Sequence, residues 1–175
     1  MCWNYAAACT PTAVLALDGR MHLVPSKGDS RVVKADDFFL GPLDTAKSES
    51  DILICVSFEQ PETKAGSAYK KWGLVKDALP VVGICAFIKL DTSGLCCEAR
   101  IAVTGMGLGA QRATAGEAAL LSSDGDPKSI EAAIDSICAT IDAPTDLSAT
   151  SDYRYQLIRN LGFEVIQIAF KRASI

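Results

Sequence analysis

The sequence predicts an α+β fold, an antiparallel sheet with helices packed on it, and three observations carry that expectation. Two long segments, Val81–Leu90 and Cys96–Thr104, alternate apolar residues at the period of two that a half-buried strand requires. Asp91-Thr92-Ser93-Gly94 joins them with small polar residues and a glycine free to take positive φ, the chemistry of a short hairpin loop. The helical patterns follow the strands instead of alternating with them, which favours helices laid on one antiparallel sheet.

The elements follow in order. Thr12–Leu17 is a short apolar helix or turn closed by Asp18-Gly19, with Gly19 expected at the left-handed position after its end. Met21–Val24 is a short strand stopped by Pro25. Arg31–Lys34 is another, and residues 35–40 form a single helical turn around Phe38 and Phe39. Ile52, Ile54, Val56 and Phe58 mark a further strand ending before Pro61. The small polar stretch from Pro61 to Gly66 reads as a boundary. Beyond it Ser67–Gly73 is a strand with Tyr69, Lys71 and Gly73 on one side.

The hairpin comes next. Val82, Ile84, Ala86, Ile88 and Leu90 share one face of its first strand. In the second, Cys97, Ala99, Ile101 and Val103 are expected inside, with Cys96, Glu98, Arg100 and Thr104 mostly outside. Gly105–Gly109 is a glycine-rich turn, and Arg112–Leu121 an alanine-rich helix. Asp126-Pro127 offers an N-cap followed by proline at the first helical position. The helix that follows carries Ile130, Ala133, Ile134, Ile137 and Ile141 at helical spacing. Ser151-Asp152 caps a long last helix with Tyr153, Leu157, Leu161, Val165 and Ile168 as its buried stripe and Arg154, Arg159 and Lys171 outward.

Composition narrows the functions. The chain has 175 residues, 49% hydrophobic and 22% charged, which describes an ordered globular protein. A net charge of -4 argues against nucleic acid as a partner, because neutralising phosphates is the main source of that affinity. The apolar runs are too short to span a bilayer, and the start lacks the pattern of a signal peptide. Seven cysteines and one histidine occur without any C-x-x-C spacing, so a metal site is not expected and the thiols read as small core residues in a reducing cytoplasm.

Few residues offer chemistry of their own. His22 lies in an apolar strand without a partner acid placed for a triad, and reads as structural. Gly105-Met106-Gly107-Leu108-Gly109 has the spacing G-x-G-x-G after a hairpin strand, whereas a dinucleotide loop requires G-x-G-x-x-G in a parallel unit. It therefore reads as a turn. Cys96-Cys97 reads as one inward and one outward strand residue, not a vicinal disulfide. Tyr69-Lys70-Lys71 with Lys76-Asp77 reads, by itself, as a solvated charge run.

An ordered set of short motifs changes the weight of that last group. These are Ala13-Val14-Leu15-Ala16-Leu17-Asp18; Arg31-Val32-Val33 with Asp37-Phe38-Phe39-Leu40-Gly41 and Thr45; and Asp51-Ile52-Leu53 leading to Pro61. Tyr69-x-Lys71 with Asp77, Ala99-Arg100-Ile101-Ala102, Arg112-Ala113 with Glu117-Ala118-Ala119-Leu120, and Ser151-x-Tyr153-Arg154-x-x-Leu157 continue the series. Together they resemble the medium, flavin-binding subunit of the molybdenum hydroxylases, the carbon monoxide dehydrogenase and xanthine dehydrogenase family. The resemblance implies that residues 1–60 are the remnant of an FAD-binding subdomain, and that residues 61–175 form the C-terminal domain of that flavoprotein. It implies FAD as cofactor, with Lys71 and Asp77 as its candidate ligands in this chain. The implied partners are an iron–sulfur subunit, which feeds electrons to the flavin, and a molybdopterin subunit. A homodimer is left open.

The chain departs from the family in places. The glycine-rich stretches that bind the FAD pyrophosphate are absent. Tyr5, Ala6 and Cys9 stand where the family has Ser, Pro and Asp, and Leu74-Val75 replaces an arginine-bearing stretch. FAD binding by the isolated chain is therefore not expected. A non-catalytic assembly module that has lost the cofactor is the alternative.

Overall fold

The structure, a computed structural model, describes residues 4–61, 63–75 and 78–175. Its centre is an antiparallel sheet of four strands in the order β6 (Ala65–Trp72), β7 (Val82–Leu90), β8 (Cys96–Thr104) and β9 (Gln111–Arg112). Before it in sequence come α1 (Cys9–Ala16), β1 (Arg20–Val24), β2 (Arg31–Lys34), α2 (Ala35–Phe38), the β3–β4 ribbon (Phe39–Gly41 and Asp44–Thr45) and β5 (Ile52–Ser57). Strands β2, β1 and β5 form a second, smaller antiparallel sheet in that order. After it come α3 (Thr114–Leu120), α4 (Pro127–Thr140) and α5 (Ser151–Ala173). The α+β class expected from the sequence is the class observed. Among the described residues no helix is long and apolar enough to cross a membrane.

Both faces of the large sheet are covered, which is why β7 is buried along nearly its whole length. Ile84, Ala86 and Ile88 pack with Ile101 and Val103 against Ile130, Ile134 and Ile137 of α4 and Ile158, Val165 and Ile166 of α5. On the opposite face Cys85 and Ala102 meet Val14, Leu15 and Ala16 of α1, with Met21, Leu23 and Phe38 behind them. Thr104, expected outside, is fully buried there, and its hydroxyl donates to the Ala6 carbonyl at 2.9 Å.

The second strand of the hairpin carries a bulge. Lys89 stands opposite Glu98, but Leu90 stands opposite Cys96, so one extra residue is accommodated between them. That slip reverses the expected order of the adjacent cysteines: Cys96 is buried and Cys97 exposed, both as free thiols. Burial pushes the Cys96 thiol up to about 11.

Several boundaries move for local reasons. The left-handed residue after α1 is Asp18, at φ 50°, and Gly19 is needed instead for close packing. A Cβ on Gly19 would lie 2.7 Å from Val14 Cγ1. Gln111 and Arg112 pair with β8 before α3 begins. The Ile101 amide, beyond the reach of that short strand, donates to Glu117 Oε1 at 2.8 Å. Glu117 also accepts from Arg112 Nε at 2.7 Å, and Arg112 reaches on to Asp36 of α2, tying the first part of the chain to the sheet. Asp126 caps α4 as expected, accepting from the Lys128 and Ser129 amides. The cap of α5 is Thr150, not Ser151-Asp152.

The buried face of α5 is broader than, and rotated from, the expected stripe. Leu157 and Val165 are buried as expected, but Arg154, Ile158, Gly162, Ile166, Ala169, Phe170 and Ala173 join them, while Tyr153 is exposed. The helix is pressed by the sheet on one side and α4 on the other, so a single apolar seam is not enough.

Candidate functional site

Connections from separate parts of the chain converge at one end of the large sheet. They are residues 5–7 ahead of α1, residues 74 and 78–81 between β6 and β7, the glycine-rich turn after β8, and residues 141–150 between α4 and α5. They enclose a cleft of about 350 Å³ whose lining includes Tyr5, Leu74, Leu79, Gly107, Asp146 and Arg154. Tyr5, Leu74 and Leu79 are exposed, so the mouth is apolar.

Arg154 gives the cleft its rigid wall. It comes from the first turn of α5 and is buried, contrary to the outward position expected from its charge. One terminal nitrogen donates to the carbonyls of Val81 and, at 2.9 Å, Gly105; the other donates to both Asp146 oxygens at 2.7 Å. The planar guanidinium thus joins the ends of two strands to the α4–α5 connection. Its place in the Ser-x-Tyr-Arg motif is the sequence signal that marks it.

The Ser148 amide, followed by the Ala149 amide and the Arg154 guanidinium, holds the Asp146 carboxyl below the usual carboxylate range. A lowered folded-state value means that its stabilising contribution is complete above the unfolded value of about 3.9 and disappears as pH falls through the folded value. Urea unfolding of Asp146→Asn and the wild type over a pH series is therefore expected to show a difference at neutral pH that shrinks under acid conditions. A difference that grows toward low pH would contradict this linkage.

Lys71 lies beside this cleft. It is exposed near the end of β6, opposite Gly83, and its ammonium donates to the Ala78 carbonyl at 3.0 Å; Ala78 is itself a lining residue. Tyr69 and Lys71 share the face of β6 that looks toward α1, as the alternation predicts. Gly83 makes room for Tyr69 and Thr104: a Cβ there would come within 3.0 Å of the Tyr69 hydroxyl and 2.9 Å of Thr104 Cγ2. Burial, with the Cys9 and Cys85 thiols close by, holds the Tyr69 phenol far above its ordinary value. Asp77, the other candidate ligand, and its neighbour Lys76 lie outside the described residues. His22 is remote from this chemistry in the small sheet, where Nε2 and Ser57 Oγ are 2.8 Å apart.

These residues fit one end of a flavin better than the other. An apolar mouth with an exposed ammonium beside it suits a planar ring that gains negative charge on reduction. The diphosphate end needs backbone N–H groups turned toward it. Gly105 and Gly107 of the glycine-rich turn line the cleft and have positive φ, and the turn is tightly packed: a Cβ on Gly105 would strike the Val81 carbonyl at 2.0 Å, and one on Gly107 would strike Gln111 Nε2 at 2.6 Å. The Gln111 side chain fills the turn, donating to the Met106 carbonyl.

Comparison with solved structures defines the class. Carbon monoxide dehydrogenase of Hydrogenophaga pseudoflava, in a form lacking the Mo-pyranopterin moiety of its molybdenum cofactor, superposes with a TM-score of 0.89 at 25% identity, over 97% of this chain and 58% of that one. Quinoline 2-oxidoreductase of Pseudomonas putida 86 shares the fold, with a TM-score of 0.88 at 22% identity, over 99% of this chain and 60% of that one. Among curated relatives, the 6-hydroxypseudooxynicotine dehydrogenase complex subunit alpha of Paenarthrobacter nicotinovorans is 25% identical over 96% of this chain and 56% of its own length. The carbon monoxide dehydrogenase medium chain of H. pseudoflava is 24% identical over 94% of this chain and 56% of its own length. This is the fold of a molybdenum hydroxylase medium subunit. Residues 67–169 match the CO dehydrogenase flavoprotein C-terminal domain, and the chain belongs to that family. It spans little more than half the length of the curated relatives it matches.

Proposed function

We propose that this chain works as part of the FAD-binding medium subunit of a molybdenum hydroxylase in the cytoplasm, within a complex that also holds an iron–sulfur subunit and a molybdopterin subunit. Residues 61–175 would be the flavoprotein C-terminal domain and residues 1–60 the remnant of the FAD-binding subdomain. The observation that carries the proposal is the ammonium of Lys71 at the cleft of a family-matched domain.

FAD, when bound, would accept electrons from the iron–sulfur clusters and deliver them to an acceptor. The residues of this chain supply position and charge. One N–H of Lys71 is held by the Ala78 carbonyl, which fixes the ammonium while leaving its charge exposed to offset a negative ring. Arg154 and Asp146 keep the surrounding connections in place, and Tyr5, Leu74 and Leu79 keep the mouth apolar. Asp77 would be the second flavin ligand from this chain.

The test is co-expression with an iron–sulfur and a molybdopterin subunit of this family, followed by the flavin absorbance of the purified complex. Flavin is expected in the complex, with affinity lowered roughly tenfold by Lys71→Ala, the scale of one charge-assisted hydrogen bond. A colourless complex would refute the proposal. It would leave the second reading, an assembly module that has lost the cofactor, which the filled glycine turn and the exposed Leu74-Val75 favour.

A further inference from the structure

Lys71 and Trp72 are neighbours at the end of β6, and their side chains leave the sheet on opposite faces. The Lys71 ammonium donates to the Ala78 carbonyl beside the cleft, whereas Trp72 packs against the core that the sheet shares with α4 and α5. There its ring meets the ring of Tyr153 edge to face, with centroids 5.5 Å apart and planes at 83°.

The connection that carries Ala78 is closed at its base. The Val81 amide donates to the Trp72 carbonyl at 2.8 Å, and the Val81 carbonyl accepts from Arg154. Consecutive residues of α5 thus hold the two stems of the β6–β7 connection: Tyr153 grips Trp72 through its ring, and Arg154 grips Val81 through its carbonyl. The base is tight as well, because a Cβ on Gly73 would lie 3.2 Å from the Leu79 carbonyl oxygen. The first turn of α5 is itself anchored from behind. Thr150 Oγ1 accepts from the Tyr153 amide at 3.3 Å, and Thr145 Oγ1 accepts from the Ser151 amide at 2.9 Å.

We propose that Tyr153 is a positioning residue for the Lys71 ammonium, acting through the Trp72 ring. The flavin reading of the cleft gives that ammonium its purpose, and the proposal rests on that reading for its consequence in the complex. The coupling itself belongs to this chain alone. With the Tyr153 ring in place, Trp72 fixes the end of β6 and so the direction in which Lys71 leaves it. Without the ring, the Trp72 side chain can turn and the strand end can twist, while Arg154 still holds Val81. Only the Lys71 side of the connection is then loosened. Tyr153 is 38% exposed, so its loss leaves the core filled.

The test on the isolated chain is the rate at which limiting acetic anhydride modifies Lys71, read by peptide mass spectrometry against Lys27, exposed in the loop after β1. An amine tied to a carbonyl reacts more slowly than a free one. Tyr153→Ala should raise the relative Lys71 rate roughly threefold, the scale of one aromatic edge contact. Tyr153→Phe, which keeps the ring, and Gln156→Ala, exposed on the same helix, should leave it at the wild-type value. Trp72→Leu should match Tyr153→Ala, and combining the two should add nothing. In the co-expressed complex Tyr153→Ala should weaken flavin binding roughly threefold, and no further once Lys71 is alanine, a non-additivity that general destabilisation does not produce. An unchanged Lys71 rate in Tyr153→Ala and Trp72→Leu, an equal rise in Tyr153→Phe, or additive flavin losses would overturn the proposal. A colourless complex refutes the flavin reading instead, and the Lys71 rates then decide the coupling by themselves.

Discussion

Arg154→Met should lower the unfolding free energy by about 2–5 kcal/mol, because it leaves two buried carbonyls without a donor and releases a carboxylate from its bidentate partner. The methionine replaces much of the aliphatic volume, so the loss reports on polar contacts and not on a cavity. The acceptors are the carbonyls of Val81 and Gly105, at the ends of neighbouring strands, and the carboxylate of Asp146. Arg154→Lys should recover less than half of the loss, since a single ammonium does not reach all three at once. Denaturant unfolding of both variants checks this. A lysine variant as stable as the wild type would mean that the fork geometry is irrelevant.

Gly66→Ala and Gly162→Ala should move stability in opposite directions, although both glycines lie where α5 crosses the sheet. A Cβ on Gly66 would lie 2.3 Å from the Ala169 carbonyl oxygen and 2.5 Å from the Ala173 nitrogen. Those are backbone atoms of a packed helix, so the last turns of α5 must lift away, at a cost of about 3 kcal/mol. A Cβ on Gly162 meets Ile134 Cγ1 at 3.4 Å and Ile84 Cδ1 at 3.5 Å, which is ordinary contact. There the change removes a helix-interior glycine and should stabilise by up to about 1 kcal/mol. Thermal unfolding of the pair gives the sign of each directly.

The contrast between these residues shows what local pattern conveys and what it does not. The alternation in Val81–Leu90 and Cys96–Thr104 is enough to locate the hairpin and to set one face of its first strand against later helices. It says little about the other face, because Gly83, Cys85 and Phe87 are small or apolar without insisting on burial, and the covering helix α1 comes from far away in sequence. The order of Cys96 and Cys97 depends on a one-residue slip of register that no composition announces. Arg154 is harder still. Charge alone places it in solvent, and only the carbonyls brought together by the closed sheet make burial favourable. Lys71 is the reverse case: its motif marks it, and it lies where its ammonium reaches a cleft-lining carbonyl.

The two-sided burial of β7 also has a history during synthesis. Helix α1 leaves the ribosome well before β7 and β8, and Val14, Leu15 and Ala16 have no strand of the large sheet to cover until both have emerged. Non-local closure of that kind is slow, and the waiting chain exposes apolar surface to its neighbours. This stretch of the nascent chain is thus most vulnerable to misassembly in the interval between making α1 and making the strands that α1 will cover.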